Sequence, residues 1–304
     1  MLKGKFLGHL SALITVSAWG TSFVATKVLM EEAALSPIEV YIYRFALAWL
    51  ILLAITCKKI FSDSLKDELQ LLLCGVCAGS LFYILENYAL QNTTTGNVSL
   101  LSSVSPLITT ALVALVFRQR VGAGLIIGSI IAFAGVGFVI FSHGEGLEIN
   151  PLGDLLALGS SLSWAIYAIA VKGLVPKYSS LFITRKLFFY GVLTALPLLI
   201  FQSEPYHIVE LFTVPSYLLN MLFLVFVCSI IGYVIWNYSL KVLGPVATNN
   251  YIYMQPLVTM IVAYFVFQEK ITLFGYIGCV LIIGGLIISD KLKIGKAVKT
   301  EEGT

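Results

Sequence analysis

Glu86 is the one carboxylate placed well inside a long apolar stretch of this chain. Arg44 is the deepest of five basic residues in such stretches, the others being Lys27, Lys172, Arg185 and Lys186. A charge at mid-bilayer costs at least about 2.5–3.5 kcal/mol on insertion scales, so each of these side chains needs a physical reason. Lysine and arginine near a helix end can snorkel to the surface or form a structural ion pair. The other reason is a charge on a bound solute. Glu39, close to Arg44 in sequence, is a candidate partner for it. Glu86, held away from water, is a candidate to take up a proton in one of two states.

Tyr83, Glu86 and Asn87 stand at i, i+3 and i+4, so they share one helix face. Tyr233, Trp236 and Asn237 repeat the spacing. Such an aromatic and amide stripe on a cavity suits a small polar organic solute. The same residues can also serve as hydrogen-bonding glue between helices. Two further polar runs end in proline: Asn97, Ser99, Ser102, Ser103 and Ser105 precede Pro106, and Thr248, Asn249, Asn250, Tyr253 and Gln255 precede Pro256. Each proline removes an intrahelical hydrogen bond, which predicts a kink. The kink is structural, or it also lines a solute path, which makes Asn250 and Tyr253 candidates. Trp19 and Trp164 are further candidates for a cavity wall.

These residues must be positioned by membrane helices. Of 304 residues, 59% are hydrophobic and 12% charged, against about 25% charged in a soluble domain, and the mean hydropathy is +0.94. Ten stretches approach the roughly 20 apolar residues a bilayer requires: 8–29, 37–57, 69–91, 94–117, 122–141, 152–174, 179–201, 216–241, 246–268 and 272–290. Their continuity and length exclude a β-barrel. With the N-terminus inside, thirteen basic residues, from Lys3 and Lys5 to Lys296 and Lys299, fall on the interior side and Lys270 alone outside. That bias predicts both termini in the cytoplasm. The first span is too long for a cleaved signal peptide, so the chain is expected to begin at or near Met1.

Shifting the chain by 150 residues overlays it on itself. Tyr83 meets Tyr233, Asn87-Tyr88 meets Asn237-Tyr238, Pro106-Leu107 meets Pro256-Leu257, Gly128 meets Gly278 and Gly135 meets Gly285. At a shift of 145, Trp19 meets Trp164 and Lys27 meets Lys172. The chain therefore divides into a first repeat over 1–143, a second over 152–290 and a basic cytoplasmic tail over 291–304. Each repeat holds an odd number of spans, so the second must insert inverted. Lys27 at the outer end of its span and Lys172 at the inner end of its own agree with this. Inverted repeats are a mark of secondary transporters. The expected fold is an all-α integral membrane protein with ten transmembrane helices in two inverted five-helix repeats.

Other features are structural. The five cysteines lie in or beside apolar stretches and read as small buried hydrophobes, including the lone Cys74/Cys77 pair. Gly75/Gly79, Gly124/Gly128, Gly278, Gly284 and Gly285 permit close helix contacts. His9, His143 and His207 are too far apart to suggest a metal site. A net charge of +3 without a basic, aromatic-laced cluster argues against nucleic-acid binding. No nucleophile–base or phosphate-loop motif is present, and no cofactor is expected.

Trp19-Gly20-Thr21-Ser22-Phe23-Val24, Lys27 and Arg44-Phe45-Ala46 resemble the opening motif of the EamA branch of the drug/metabolite transporter superfamily. Tyr88-Ala89-Leu90, Gly96, Pro106 and Gly128 to Gly135 are similar to the rest of its first repeat. Trp164-Ala165, Lys172, Tyr238-Ser239-Leu240, Pro256, Glu269-Lys270-Ile271, Gly278 and Gly285 are similar to the second. Where the family often carries Gly-Glu before its fifth span, Arg118-Gln119-Arg120 stands here. The resemblance implies a central cavity lined by spans 1, 3, 4, 6, 8 and 9, and substrates that are amino acids, other metabolites or drugs, or nucleotide sugars in eukaryotic relatives.

The expected function is a monomeric secondary transporter in the inner (plasma) membrane, exporting a small polar metabolite such as an amino acid by alternating access. Its partners are the small-molecule substrate, the lipid bilayer and protons as a coupling ion. Candidate substrate contacts are Trp19, Arg44, Tyr83, Glu86, Asn87, Trp164, Tyr233, Trp236, Asn237, Asn250 and Tyr253. A multidrug or nucleotide-sugar transporter is the alternative within the class. A membrane sensor or assembly partner is the alternative outside it, with only Lys291 to Thr304 available as an output segment. An intramembrane enzyme ranks last, since Glu86 stands without other catalytic groups.

Overall fold

The computed structural model describes residues 2–56, 59–93, 95–118, 121–141, 150–200, 202, 206–267 and 272–291. Among them every regular element is helical. Seven helices are long and apolar enough to cross a bilayer: α1 (Leu2–Glu31), α2 (Pro37–Ile55), α3 (Leu65–Asn92), α6 (Ala123–Phe141), α7 (Pro151–Ala170), α8 (Ser180–Ile200) and α9 (Pro215–Leu243). The other helices are α4 (Thr95–Ser102), α5 (Ser105–Val116), α10 (Pro245–Asn249), α11 (Gln255–Phe267) and α12 (Leu273–Lys291), and the apolar stretches Leu100–Val116 and Leu273–Ser289 among them are shorter. Large apolar side chains such as Leu115 and Val280 stand on the outside, as lipid-facing residues do.

Two of the expected spans are divided before their prolines. Between α4 and α5, Ser103 and Val104 bond back to the carbonyls of Leu100 and Leu101. Between α10 and α11 the chain tightens to a 3₁₀ helix over Asn250–Met254. Pro106 and Pro256 have no N–H to continue the α-helical ladder, and the preceding turn contracts to shorter bonds. The two breaks are 150 residues apart. The same shift relates two wide, π-helical stretches, Val76–Ser80 in α3 and Leu224–Ile231 in α9. Aromatic side chains from the other repeat bond carbonyls within these wide turns. Tyr233 Oη donates to the Ala78 carbonyl (2.7 Å) and Trp19 Nε1 to that of Cys228 (2.9 Å). Ala78 and Cys228 are themselves 150 residues apart.

Glycines set the closest helix contacts. On α6 and α12, an added Cβ at Gly128 would meet the Gly285 carbonyl at 2.5 Å, and one at Gly135 would meet that of Gly278 at 2.8 Å. The lower number on one helix faces the higher on the other, so the two cross antiparallel. Gly75 and Gly79 of α3 lie against Leu187, Tyr190 and Gly191 of α8 in the same way. Gly128→Ala is therefore expected to destabilise the protein by about 1–3 kcal/mol, the usual scale of overpacking. Thermal melting in detergent would show it, and an unchanged melting temperature would mean that α6 and α12 yield freely.

Arg185 and Lys186 of α8 are fixed structurally. Arg185 donates to the carbonyls of Thr56 and Lys59, and Lys186 pairs with Glu68, which also accepts from Tyr190 Oη and from the Ser62 backbone (2.8 Å). Beside them Lys177 pairs with Asp67 at 2.8 Å and Tyr178 donates to the same carboxylate at 2.9 Å. This network joins the two sequence repeats at the face that carries Lys59 and Lys177. At the opposite face His207 N donates to Glu39 (2.7 Å) and Tyr217 Oη to the Glu32 carbonyl (3.2 Å). Gln119, Arg120, Cys57, His143, Glu269, Lys270 and the tail beyond Lys291 lie outside the described residues.

Candidate functional site

Ser36 starts α2 as its N-cap, with Pro37 in the first turn and Glu39 closing a capping box. Helical spacing then buries Tyr41, Arg44, Phe45, Ala48 and Leu52 on one stripe. Glu39 is spent in the cap. It accepts from the Ser36 backbone (2.9 Å), Tyr43 Oη (2.9 Å) and His207 N. It does not pair with Arg44, which corrects the sequence expectation. Five residues along a helix leave the two side chains about 140° apart.

Arg44 instead points inward and is 3% exposed. Its Nε donates to Ser229 Oγ (2.6 Å) in the wide turn of α9, and its guanidinium lies 4.8 and 5.1 Å from the ring centres of Phe45 and Tyr83. Among the described residues Nη2 is buried without a hydrogen-bond partner. Glu86, 8% exposed, faces the same small cavity. Among the described residues the two make no ion pair with each other or with any other side chain.

The cavity has two lobes that share Ser22, Phe23, Tyr83 and Glu86. One lobe, about 20 Å³, is bounded by Arg44, Asn87, Thr26 and Tyr41. The other, about 40 Å³, is walled by Trp19, Phe23, Phe82 and Trp164, with Ser102, Ser105 and Gln255 on its edge. Among the described residues the Ser102 and Ser105 hydroxyls have no hydrogen-bond partner. At about 10–15 Å³ per water, the lobes hold a few waters, so loading an organic solute requires the helices to part.

A layer of aromatic rings closes one side. Trp19 packs on Trp236 (5.0 Å between centroids), Trp164 (5.2 Å) and Tyr233 (5.5 Å). Trp164 is held by Nε1 donating to Asn249 (3.2 Å). Farther along α1 toward its start lies a larger, mostly apolar cavity of about 770 Å³, lined by Lys5, His9, Lys172, Asn250 and Ser289 among others. Residues 5–9 and 19–26 of one helix are some 15–30 Å apart along its axis, and Trp19 of the aromatic layer stands at the end of the second stretch nearer the larger cavity.

The structure thus brings Trp19 and Trp164 to one lobe and Arg44 and Asn87 to the other, with Tyr83 and Glu86 lining both. Asn87 also donates to the Pro37 carbonyl (3.1 Å). Tyr233 and Trp236 stand behind the wall, fully buried. Asn237 is bonded to Tyr167 (2.8 Å) and Thr184 (3.1 Å) away from the cavity. Tyr253 packs with Ala132, Val136 and Ile282 in a separate core. Asn250 bonds Ser289 (2.7 Å) beside the larger cavity. Lys27 forms an exposed pair with Glu31 (3.7 Å), and Lys172 lies 3.9 Å from the Phe117 ring centre. Phe82 and Tyr41 are lining residues that the sequence reading passed over. The available signals were Phe82 adjoining Tyr83 and Tyr41 one helical turn before Arg44.

The model of the "EamA-like transporter family" matches the sequence twice, over residues 6–141 and 151–289. A protein described as an uncharacterized transporter of Archaeoglobus fulgidus is 29% identical over 92% of this chain and 96% of its own. The uncharacterized transporter YyaM of Bacillus subtilis is 27% identical over 84% and 85%. A protein described as a probable terminal-alkyne amino-acid exporter, of Streptantibioticus cattleyicolor, is 24% identical over 93% of each chain. A solved crystal structure superposes with a TM-score of 0.74 at 17% identity, over 95% of this chain and 96% of that one. At that identity the likeness speaks for the fold alone.

Proposed function

The chain belongs to the EamA-like transporter family, and from that premise we propose that it exports a small polar metabolite such as an amino acid across the inner membrane by alternating access. Members of the family are transporters and not enzymes, and this chain is an integral membrane transporter. The observation that carries the finer reading is Arg44 and Glu86 facing one cavity, both buried and neither ion-paired among the described residues. A cavity with such walls is suited to a solute that brings its own charges.

The movement proposed is a rocking of two inverted halves of five helices each, with both termini cytoplasmic. Four pairings support it: the 150-residue shift between the 3₁₀ breaks, the same shift between the wide turns, the doubled family match, and the antiparallel crossing of α6 and α12 through their equivalent glycines. The two cavities are the natural stations of such a cycle.

Glu86 is also the proposed site of proton linkage, facing Arg44 and Tyr41 of α2 and Tyr83 of its own helix. A Glu86→Gln protein that keeps the wild-type pH dependence of transport would remove it. Export itself is tested by profiling the medium of overexpressing cells. Enrichment of one or more amino acids outside, relative to cells with empty vector, is expected. Depletion from the medium would reverse the direction, and enrichment of a drug cation or a nucleotide sugar instead would replace the substrate class.

A further inference from the structure

The charges that make this cavity unusual are also arranged with a direction. Arg44 is held from behind by Ser229 and stacked beside Phe45 and Tyr83, which leaves Nη2 as its unsatisfied end. Glu86 enters from α3, shared by both lobes, without a hydrogen bond or ion pair among the described residues. An arginine fork matches a carboxylate, and a carboxylate accepts from an ammonium. Immediately next to this polar lobe is the lobe walled by Trp19, Phe23, Phe82 and Trp164.

We infer that the substrate is an α-amino acid zwitterion with an uncharged, apolar side chain, bound with its carboxylate on Arg44, its ammonium on Glu86 and its side chain against the aromatic lobe. The inference rests on the transporter reading above and deepens it. An amino acid carries its opposite charges on one carbon, so a single small molecule can satisfy both residues. A monocation would leave Arg44 unpaired and a monoanion would leave the ionised Glu86 unpaired, and an unpaired charge in a buried site is strongly unfavourable. The side chain is apolar because the lobe next to the charged groups is mostly ring surface, whose faces prefer apolar or aromatic contact. The hydroxyls of Ser102 and Ser105 sit on the edge of that lobe, where they accommodate at most a small polar substituent.

The test uses the full-length purified protein and the fluorescence of its tryptophans, two of which, Trp19 and Trp164, form the wall. The probes are alanine, valine, leucine and phenylalanine, each with the amine that lacks its carboxylate and the acid that lacks its ammonium. The wild type is expected to bind at least one amino acid at least about 30-fold more tightly than either stripped analogue, the scale of one buried charge left unpaired. Arg44→Gln is expected to lose the preference over the amine while keeping that over the acid. Glu86→Gln is expected to do the reverse. Equal binding of amino acid and analogues by the wild type overturns the inference whatever the variants do, as does the opposite assignment of the two losses. Counterflow of the same amino acids separates the two levels. Amino-acid flux with the wrong analogue pattern sinks only the binding mode, whereas flux confined to other solutes sinks the amino-acid reading beneath it.

Discussion

A cleavable cross-link between cysteines placed at Asp67 and Lys177, with the five native cysteines replaced, is expected to abolish transport and to restore it on reduction. Asp67 lies at the start of α3 in the first repeat, and Lys177 lies between α7 and α8 in the second. Their side chains meet at 2.8 Å in a network with Tyr178, and Glu68, Lys186 and Tyr190 form a second cluster alongside. Rocking of the two halves against each other at this face must part these groups, because they join the halves there. A covalent bridge holds the contact shut at any substrate concentration, so the loss is complete rather than partial. Counterflow before linking, after linking and after reduction measures it. Flux that continues with the bridge intact would place the moving elements elsewhere.

Arg44→Met is expected to lower the affinity for a transported amino acid by at least about 30-fold and to leave the fold in place. Methionine keeps an apolar stem between Phe45 and Tyr83, and the only hydrogen bond lost among the described residues is the one to Ser229. Removing one partner of a buried charge contact costs about 2–5 kcal/mol, and each 1.4 kcal/mol is a factor of ten. Substrate-concentration series in liposomes would show the change in half-saturation, and thermal melting would show that the variant is intact. A variant that transports with unaltered half-saturation would take Arg44 out of the site.

The residues that converge on the cavity were legible where charge or repetition marked them. Arg44 and Glu86 stood out because a bilayer makes a buried charge expensive. Trp19 and Trp164 stood out because they overlay one another between repeats. What the sequence left open is which way a helix faces. Asn87 and Asn237 are equivalent by repeat, yet Asn87 lines the cavity and Asn237 is enclosed by Tyr167 and Thr184. Helical periodicity fixes which residues share a face, and tertiary packing chooses what that face meets. Tyr253 shows the same limit, since its 3₁₀ turn rotates it into the core with α6 and α12. The kinks before Pro106 and Pro256 were readable from proline chemistry. The wide turns of α3 and α9 were not, because π-helical geometry has no comparable residue signature and shows here through the carbonyls bonded by Tyr233 and Trp19. The pairing of Lys186 with Glu68 also depended on a contact between helices far apart in sequence.

Counterflow in liposomes loaded with unlabelled solute tests transport of a zwitterion most directly. Labelled alanine, valine, leucine and phenylalanine are offered outside, alongside a cationic dye and a nucleotide sugar. Transient accumulation of at least one of the amino acids, weakened in Arg44→Met and in Glu86→Gln, is the expected result. Accumulation of the cation or the nucleotide sugar without any of the amino acids would contradict it.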